Sequence, residues 1–232
     1  MKRLLLFCPV LLASLCAVAL WITPQVSESA EGKPARKVAV LVFDGVELLD
    51  FAGPAEVFIV AAYGKAYEVY TVADTKSSIR TMGGVTIQPA FSLDDAPQPD
   101  VLIVPGGGMS TVSKRTLQWL RKAAGKAEVS MSVCMGAFLL ARVGLLDGKE
   151  ATTHHWGFDS LQSAAPRCKV IRDRRVVDSG KIVTTAGVSA GIDGALHIVE
   201  RLDGKEAARW IADEWMEYPR LDPKRPEKQI TK

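Results

Sequence analysis

Residues 128–140 read EVSMSVCMGAFLL and predict a β-strand, a sharp turn and an α-helix in immediate succession. The alternating apolar residues up to Val133 indicate the strand, and the apolar run that begins at Ala137 indicates the helix. A tight strand-to-helix turn requires small residues, because the helix must pass close to the strand, and Gly136 meets this requirement. Cys134 is therefore expected to project from the turn at the start of a helix.

A cysteine at such a position has two interpretations. Unpaired N–H groups and the helix dipole favour an anion there, so the pKa of the Cys134 thiol is expected below its usual value of about 8.5, as in a nucleophile. The alternative is a buried and unreactive cysteine, which is the ordinary state of a free cysteine in a protein core.

The N-terminus has the layout of an export signal. Lys2 and Arg3 precede an apolar segment, residues 4–22, and a short polar segment that ends at Ala30. We expect residues 1–30 to be a cleaved signal peptide, with an uncleaved N-terminal anchor as the alternative. Both interpretations place the rest of the chain in the periplasm or outside the cell.

The rest of the chain is long enough for one domain with its own core. We expect this domain to span residues 36–216 and a flexible tail to span residues 217–232. The net charge of +3 gives no electrostatic argument for binding nucleic acid. Beyond the leader the chain retains only Cys134 and Cys168, which are too few for a disulfide framework.

Apolar runs alternate with helical segments, which predicts an α/β fold with a mostly parallel sheet. A continuous apolar run predicts a strand that is buried on both faces at residues 38–43, and residues 100–105 predict another buried strand. A strand is also expected at 68–73, and the alternating apolar residues at 129–133 predict the strand before Cys134. Further strands are expected at 170–177 and 181–185, and a hairpin at 79–89. Helices are expected from Pro54 to Gly64, with the proline in the first turn, and at 114–126, 137–143, 157–164, 186–202 and 205–216.

Candidate site residues follow the carboxyl ends of several predicted strands, where parallel α/β sheets bind ligands. These residues are Asp50, the glycine run 106–108, Cys134 and His154. The N–H groups of Gly107 and Met135 are expected to face a developing oxyanion beside the sulfur. The glycine run lacks the Lys-Ser/Thr of a phosphate-binding loop, and the spacing of Cys134, His154 and His155 fits no common zinc site. We therefore expect no cofactor and no metal.

Two of these residues also have simpler interpretations. Asp50 could be a loop carboxylate that caps the helix at Pro54. His154 could act as a base or orient another group, or it could bond only to its own loop or to a dimer partner.

Six motifs together resemble the ThiJ/PfpI superfamily, which has the class I glutamine-amidotransferase-like fold. Their order and spacing cover nearly all of residues 36–203. Within the superfamily, the chain is most similar to the isonitrile-hydratase-like branch and to the amidase-like domain of AraC-type regulators. The motifs are LLDFAGP (48–54), VPGGG (104–108), SVCMGA (132–137), GLLDG (144–148), ATTH (151–154) and GVSAGIDGAL (187–196).

The resemblance implies a flavodoxin-like three-layer sandwich, usually a homodimer, in which Cys134 is the nucleophile on a strand–elbow–helix. Asp50 matches the acidic residue that hydrogen-bonds near the cysteine and handles protons. His154 matches the histidine of the family's Thr-Thr-His.

The substrate and oxyanion donors implied by the resemblance are Gly106, Gly107 and the N–H of Met135. Two residues depart from the patterns of known branches. The hydratases have threonine after the cysteine, where this chain has Met135, and this replacement removes a hydroxyl. The glyoxalase-like and deglycase-like branches have glutamate where this chain has Asp50, whose shorter side chain changes the geometry to sulfur.

These observations predict a cysteine-dependent hydratase or hydrolase that acts on a small carbon–nitrogen or carbonyl substrate. The alternative is a non-catalytic module, in which Cys134 contacts a ligand or senses redox conditions by forming sulfenic or sulfinic acid. The expected partners are a small-molecule substrate and a second copy of the chain. We expect no nucleic acid, and no membrane beyond the possible anchor.

Overall fold

The computed structural model describes residues 34–61 and 65–219. The predicted leader, the predicted end of the first helix at Gly64 and residues 220–232 of the predicted tail lie outside these ranges. Within them, no helix is both long and apolar enough to cross a bilayer.

The strands, in chain order, are β1 Arg36–Leu41, β2 Tyr67–Ala73, β3 Ile79–Arg80, β4 Thr86–Ile87, β5 Phe91–Ser92, β6 Val101–Val104, β7 Val129–Ser132, β8 Glu150–Ala151, β9 Lys169–Val170, β10 Val176–Ser179 and β11 Ile182–Thr185. Seven of them form the central sheet in the order β10-β11-β7-β6-β1-β2-β5. All neighbours in this sheet are parallel except β10 and β11. The prediction of a mostly parallel α/β sheet is confirmed.

The helices are α1 Leu48–Val60, α2 Lys114–Lys126, α3 Ala137–Arg142, α4 Phe158–Ala164, α5 Ala190–Asp203 and α6 Lys205–Trp210. The crossover from β1 through α1 and the crossover from β6 through α2 run in opposite directions along the sheet. Right-handed connections therefore place α1 and α2 on opposite faces, which gives the flavodoxin-like sandwich of three layers. The middle strands β1, β6 and β7 are almost entirely buried between the helices.

The predicted start of the first helix at Pro54 is wrong. Helix α1 begins at Leu48, so that Asp50 lies in its first turn and Pro54 lies in its interior. Pro54 has no N–H to donate to the carbonyl of Asp50, and the helix continues without that hydrogen bond. Asp50 is therefore not a loop residue that caps a helix at Pro54.

Three further boundaries differ from those predicted. The expected strand 170–177 divides into β9 and β10, because the charged run 172–175 separates two short apolar segments. Helix α5 begins at Ala190, and residues 186–189 form a turn before it. The last predicted helix is α6 followed by a π-helical turn, Ile211–Trp215.

Candidate active site

Cys134 lies at the sharp turn that joins β7 to α3. Its φ of 56° is in the left-handed region, which a residue with a Cβ rarely adopts and which carries a free-energy cost. Two hydrogen bonds hold this conformation: the Cys134 N–H donates to the carbonyl of Ala186 over 3.0 Å, and the Thr153 hydroxyl donates to the carbonyl of Cys134 over 2.7 Å. The side chain is buried, with 8% of its surface exposed.

Gly136 allows the turn to lie directly on the neighbouring strand. A Cβ at this position would collide with the carbonyl oxygen of Val104, at the end of β6. Gly106, in the loop after β6, is also close to the turn, because its Cβ would lie 2.7 Å from the amide nitrogen of Met135. The small residues of the two motifs are thus required by contact between backbones.

Asp50 reaches the turn from the first turn of α1 and is completely buried. Its Oδ2 accepts the N–H of Gly106 over 2.9 Å, and its Oδ1 has no hydrogen-bond partner among the residues that the structure describes. The Gly106 N–H is consequently occupied by Asp50 and does not face a substrate oxygen, contrary to expectation. Its role in the structure is to hold the carboxyl group.

The side chains of Asp50 and Cys134 are close enough to change each other's ionisation. Burial raises the pKa of Asp50 from 3.8 to about 6, the charge of Glu47 adds to this effect, and the N–H of Gly106 opposes it. Burial, followed by the charge of Asp50, raises the pKa of the Cys134 thiol to about 12. Two negative charges on neighbouring side chains are unfavourable together, so the resting pair is the thiol of Cys134 beside the carboxylate of Asp50.

The predicted lowering of the thiol pKa is wrong. The backbone N–H groups of Met135 and Val188 lie near the sulfur of Cys134 and lower its pKa, as a helix N-terminus should. Burial and the charge of Asp50 outweigh these two donors. Whether a thiol at such a turn ionises easily is therefore decided first by how deeply the sulfur is buried and then by a carboxylate from another part of the chain.

Val188 is a site residue that the sequence interpretation missed. It has a φ of 45°, which is a genuine outlier for a β-branched residue, and it lies in the turn between β11 and α5. Strand β11 is the parallel neighbour of β7, so this turn lies at the same sheet edge as Cys134. The position of Val188 after a buried strand was the available signal.

Gly107 lies close to the loop before α1. Its φ is 125°, and a Cβ there would lie 2.7 Å from the amide nitrogen of Glu47. The hydrogen bonds around it join Glu47 to the carbonyl of Gly106 and Gly108 to the carbonyl of Gly45. Neither bond uses the Gly107 N–H.

His154 lies in the loop that contacts the turn through Thr153. Its ring packs directly on Gly187, the residue before Val188. Its Nδ1 accepts the N–H of Trp156 over 3.3 Å, and its ring centroid lies 4.3 Å from that of His155. His154 thus contacts the Val188 turn, and one of its ring nitrogens is held by its own loop.

The methionine after the cysteine also contacts this loop. A Cβ at Gly157 would lie 3.0 Å from the sulfur of Met135. Across residues 34–61 and 65–219, no cluster of three or more His, Cys, Asp or Glu side chains could hold a metal ion.

A model of the DJ-1/PfpI family matches residues 36–201. The chain belongs to the DJ-1/PfpI family. Among DJ-1/PfpI relatives it is similar to isonitrile hydratase from Pseudomonas putida, with 34% identity over 76% of each chain. It is also similar to the HTH-type transcriptional regulator GbdR from Pseudomonas aeruginosa, with 27% identity. The matched region covers 82% of this chain but only 53% of the regulator's length.

Solved DJ-1/PfpI structures have the same fold. A THiJ/PfpI family protein from Pseudomonas syringae superposes with a TM-score of 0.70 and 26% identity, over 89% of this chain and 87% of that one. DJ-1beta from Drosophila melanogaster superposes with a TM-score of 0.67 and 24% identity, over 78% of this chain and 98% of that one.

Proposed function

We propose that this chain is a cysteine-dependent hydratase or hydrolase for a small carbon–nitrogen or carbonyl substrate, with Cys134 as the nucleophile. The observation that carries the proposal is the buried carboxyl group of Asp50 beside the thiol of Cys134. A group that exchanges protons near neutral pH must have a pKa in that range, and burial raises the pKa of Asp50 to about 6.

In the first step, the sulfur of Cys134 bonds to the electrophilic carbon while its proton moves to Asp50. Because the proton leaves as the carbon–sulfur bond forms, no free thiolate is needed, and burial and the carboxylate disfavour such a thiolate. The N–H of Met135 stabilises the charge that develops beside the sulfur, and the N–H of Gly107 is a second candidate donor. Protonated Asp50 then returns the proton to the substrate.

For an isonitrile, the atoms balance as a net addition of water. Sulfur bonds to the terminal carbon, and that carbon takes the proton from Asp50, which gives a thioimidate. Water adds to the same carbon while nitrogen gains a proton. The carbon–sulfur bond then breaks, a formamide leaves, and the thiol of Cys134 is restored.

Isonitriles are the first substrates to test, because the similarity to isonitrile hydratase from Pseudomonas putida extends over most of this chain. Met135 replaces the threonine expected next to the nucleophile, so we expect weak turnover of isonitriles. Met135→Thr should increase this turnover, because it restores a hydroxyl beside the sulfur. A hydrogen bond to developing charge is worth roughly 10²–10³ in rate, so a partial gain is measurable.

The experiment is a panel of isonitriles, amides and aldehydes given to the wild type, Cys134→Ala and Met135→Thr, with products and thiol adducts identified by mass spectrometry. Cys168→Ala is the matched control, because Cys168 is also a buried free cysteine but lies outside the site. Turnover that Cys134→Ala abolishes and Cys168→Ala retains supports the proposal. An entire panel without Cys134-dependent turnover would reject it.

A second candidate function is a non-catalytic module that binds a ligand or senses oxidants through Cys134. Similarity to the transcriptional regulator GbdR favours it, as does the apolar side chain of Met135 beside the sulfur. In that case Met135→Thr would have no effect on turnover. Peroxide at low molar excess would instead convert Cys134 to a stable oxidised acid.

The compartment and the assembly are part of the proposal. The basic and apolar order of residues 1–30 supports export to the periplasm or beyond, with cleavage of the leader. Membership of the DJ-1/PfpI family supports a homodimer. Sedimentation of the purified mature protein at micromolar concentration tests the assembly, and a single monomeric species would contradict it.

A further inference from the structure

One of the two N–H groups near the sulfur of Cys134 belongs to a strained residue. Val188 has a φ of 45°, and a β-branched side chain makes this conformation unfavourable. A residue in such a conformation persists only where its surroundings fix it. The neighbours of Val188 in the turn 186–189 are therefore expected to be held from outside the turn.

Arg175 holds this turn at both ends. Its carbonyl accepts the N–H of Ala186 over 2.8 Å. Its guanidinium donates to the hydroxyl of Ser189 over 3.2 Å and, through Nε and Nη2, to one carboxylate oxygen of Asp193 over 2.9 and 2.7 Å. The carbonyl of Ala186 in turn accepts the N–H of Cys134, so the turn is fixed between Arg175 and the nucleophile.

The ion pair between Arg175 and Asp193 is nearly buried, with 11% and 10% of the side chains exposed. A second pair, Arg201–Asp178, makes a similar link between the β10–β11 hairpin and α5 at the other end of that helix, and it is more exposed, at 30% and 27%. Only the Arg175 pair lies at the N-terminal end of α5, next to the Val188 turn. Variants of the two pairs therefore distinguish an effect on the whole helix α5 from an effect on the turn 186–189.

We propose that Arg175 is a positioning residue whose guanidinium, bonded to Ser189 and Asp193, fixes the Val188 N–H beside the sulfur of Cys134. The proposal rests on the proposed function, in which Cys134 reacts through its sulfur. Arg175 does not touch the sulfur. It determines where the second N–H donor points, and lysine in its place cannot bond to Asp193 and Ser189 with one planar fork.

The test measures alkylation of Cys134 by iodoacetamide in the folded wild type, Arg175→Lys and Arg201→Lys, at one pH near 8.5. Loss of one N–H donor to a thiolate raises its pKa by roughly one unit, and the greater nucleophilicity of the more basic thiolate offsets part of the tenfold loss of anion. We therefore expect Arg175→Lys to react about threefold more slowly and Arg201→Lys to react at the rate of the wild type. Labelling of buried Cys168 in the same samples reports any general opening of the fold.

The proposal is overturned if Arg175→Lys, still folded, alkylates at the rate of the wild type, or if Arg201→Lys slows the reaction equally. Should Arg175→Lys fail to fold, Ser189→Ala removes only the hydroxyl contact, and a rate that remains at the wild-type value overturns the proposal as well. Alkylation does not depend on turnover. A chain without enzyme activity would thus reject the proposed function while the role of Arg175 is still decided.

Discussion

Replacing Asp50 with asparagine should make the free energy of unfolding fall less as the pH rises. The pKa of Asp50 is about 6 in the folded protein, against an ordinary value of 3.8, because the carboxyl group is buried. As pH rises between these values, the unfolded chain loses this proton before the folded chain does, so the wild type loses stability. A difference of about two pKa units at 1.36 kcal/mol each gives a loss of ~3 kcal/mol above pH 6.

Asparagine retains a carbonyl oxygen for the N–H of Gly106 but does not ionise. Its buried amide has its own cost, which is the same at every pH. The quantity to measure is therefore the difference in unfolding free energy between Asp50→Asn and the wild type at two pH values. Relative to the wild type, the variant should gain roughly 2 kcal/mol between about pH 4 and about pH 7.5. The raised pKa of Cys134 keeps the thiol neutral over this range.

Urea unfolding followed by tryptophan fluorescence provides the measurement, provided that the denaturant dependence is equal in both proteins. Asp178→Asn is a matched control of opposite sign. Burial opposes the shift, but bonds from His197, the N–H of Gly180 and Arg201 hold the pKa of Asp178 below its usual value. That variant should therefore gain nothing on the wild type as pH rises. If the difference for Asp50→Asn is constant between the two pH values, the raised pKa is refuted.

Three other results are expected. The value of kcat/KM should rise with pH through about 6, because ionised Asp50 accepts the thiol proton, and a flat profile across this range would contradict that role. Gly136→Ala should lower the melting temperature severely, because its Cβ would meet the carbonyl of Val104, whereas Gly125→Ala, in open helical space, should be neutral or stabilise by ~1 kcal/mol. Equal melting temperatures for the two variants would refute the close contact at the turn. N-terminal sequencing of the native protein should place the mature N-terminus between residues 20 and 31, and an intact Met1 in a cytoplasmic fraction would contradict export.

Strand β6 was predictable because a strand buried on both faces is usually apolar along its whole length, and β7 was predictable from its alternating apolar residues. The start of α1 was not predictable in this way. Its first residues, Leu48 and Leu49, are 39% exposed, and Glu47 before them makes no capping hydrogen bond. The only local signal was Pro54, which lies in the interior of the helix.

The candidate site was predictable in position but not in chemistry. The rule that carboxyl strand ends meet at one edge indicated Asp50 and Cys134, which lie far apart in the chain. The pKa of the thiol was mispredicted, because local sequence shows a helix N-terminus but does not show how deeply the sulfur is buried or how close a carboxylate lies. Val188 was missed because its N–H is a backbone group, and no side-chain pattern identifies it.

The contact between Gly136 and Val104 has a consequence for how this chain can evolve. The backbone of the turn that carries Cys134 packs directly on strand β6, so a mutation that alters the shape of the turn also destabilises the fold. Purifying selection on stability alone would keep the turn intact in a descendant that has lost its reaction. Substrate range can change more freely at Met135 and at the exposed residues His155 and Trp156 of the His154 loop, which lie outside the sheet. Divergence of activity within one lineage should therefore be sought in these two places rather than at the nucleophile.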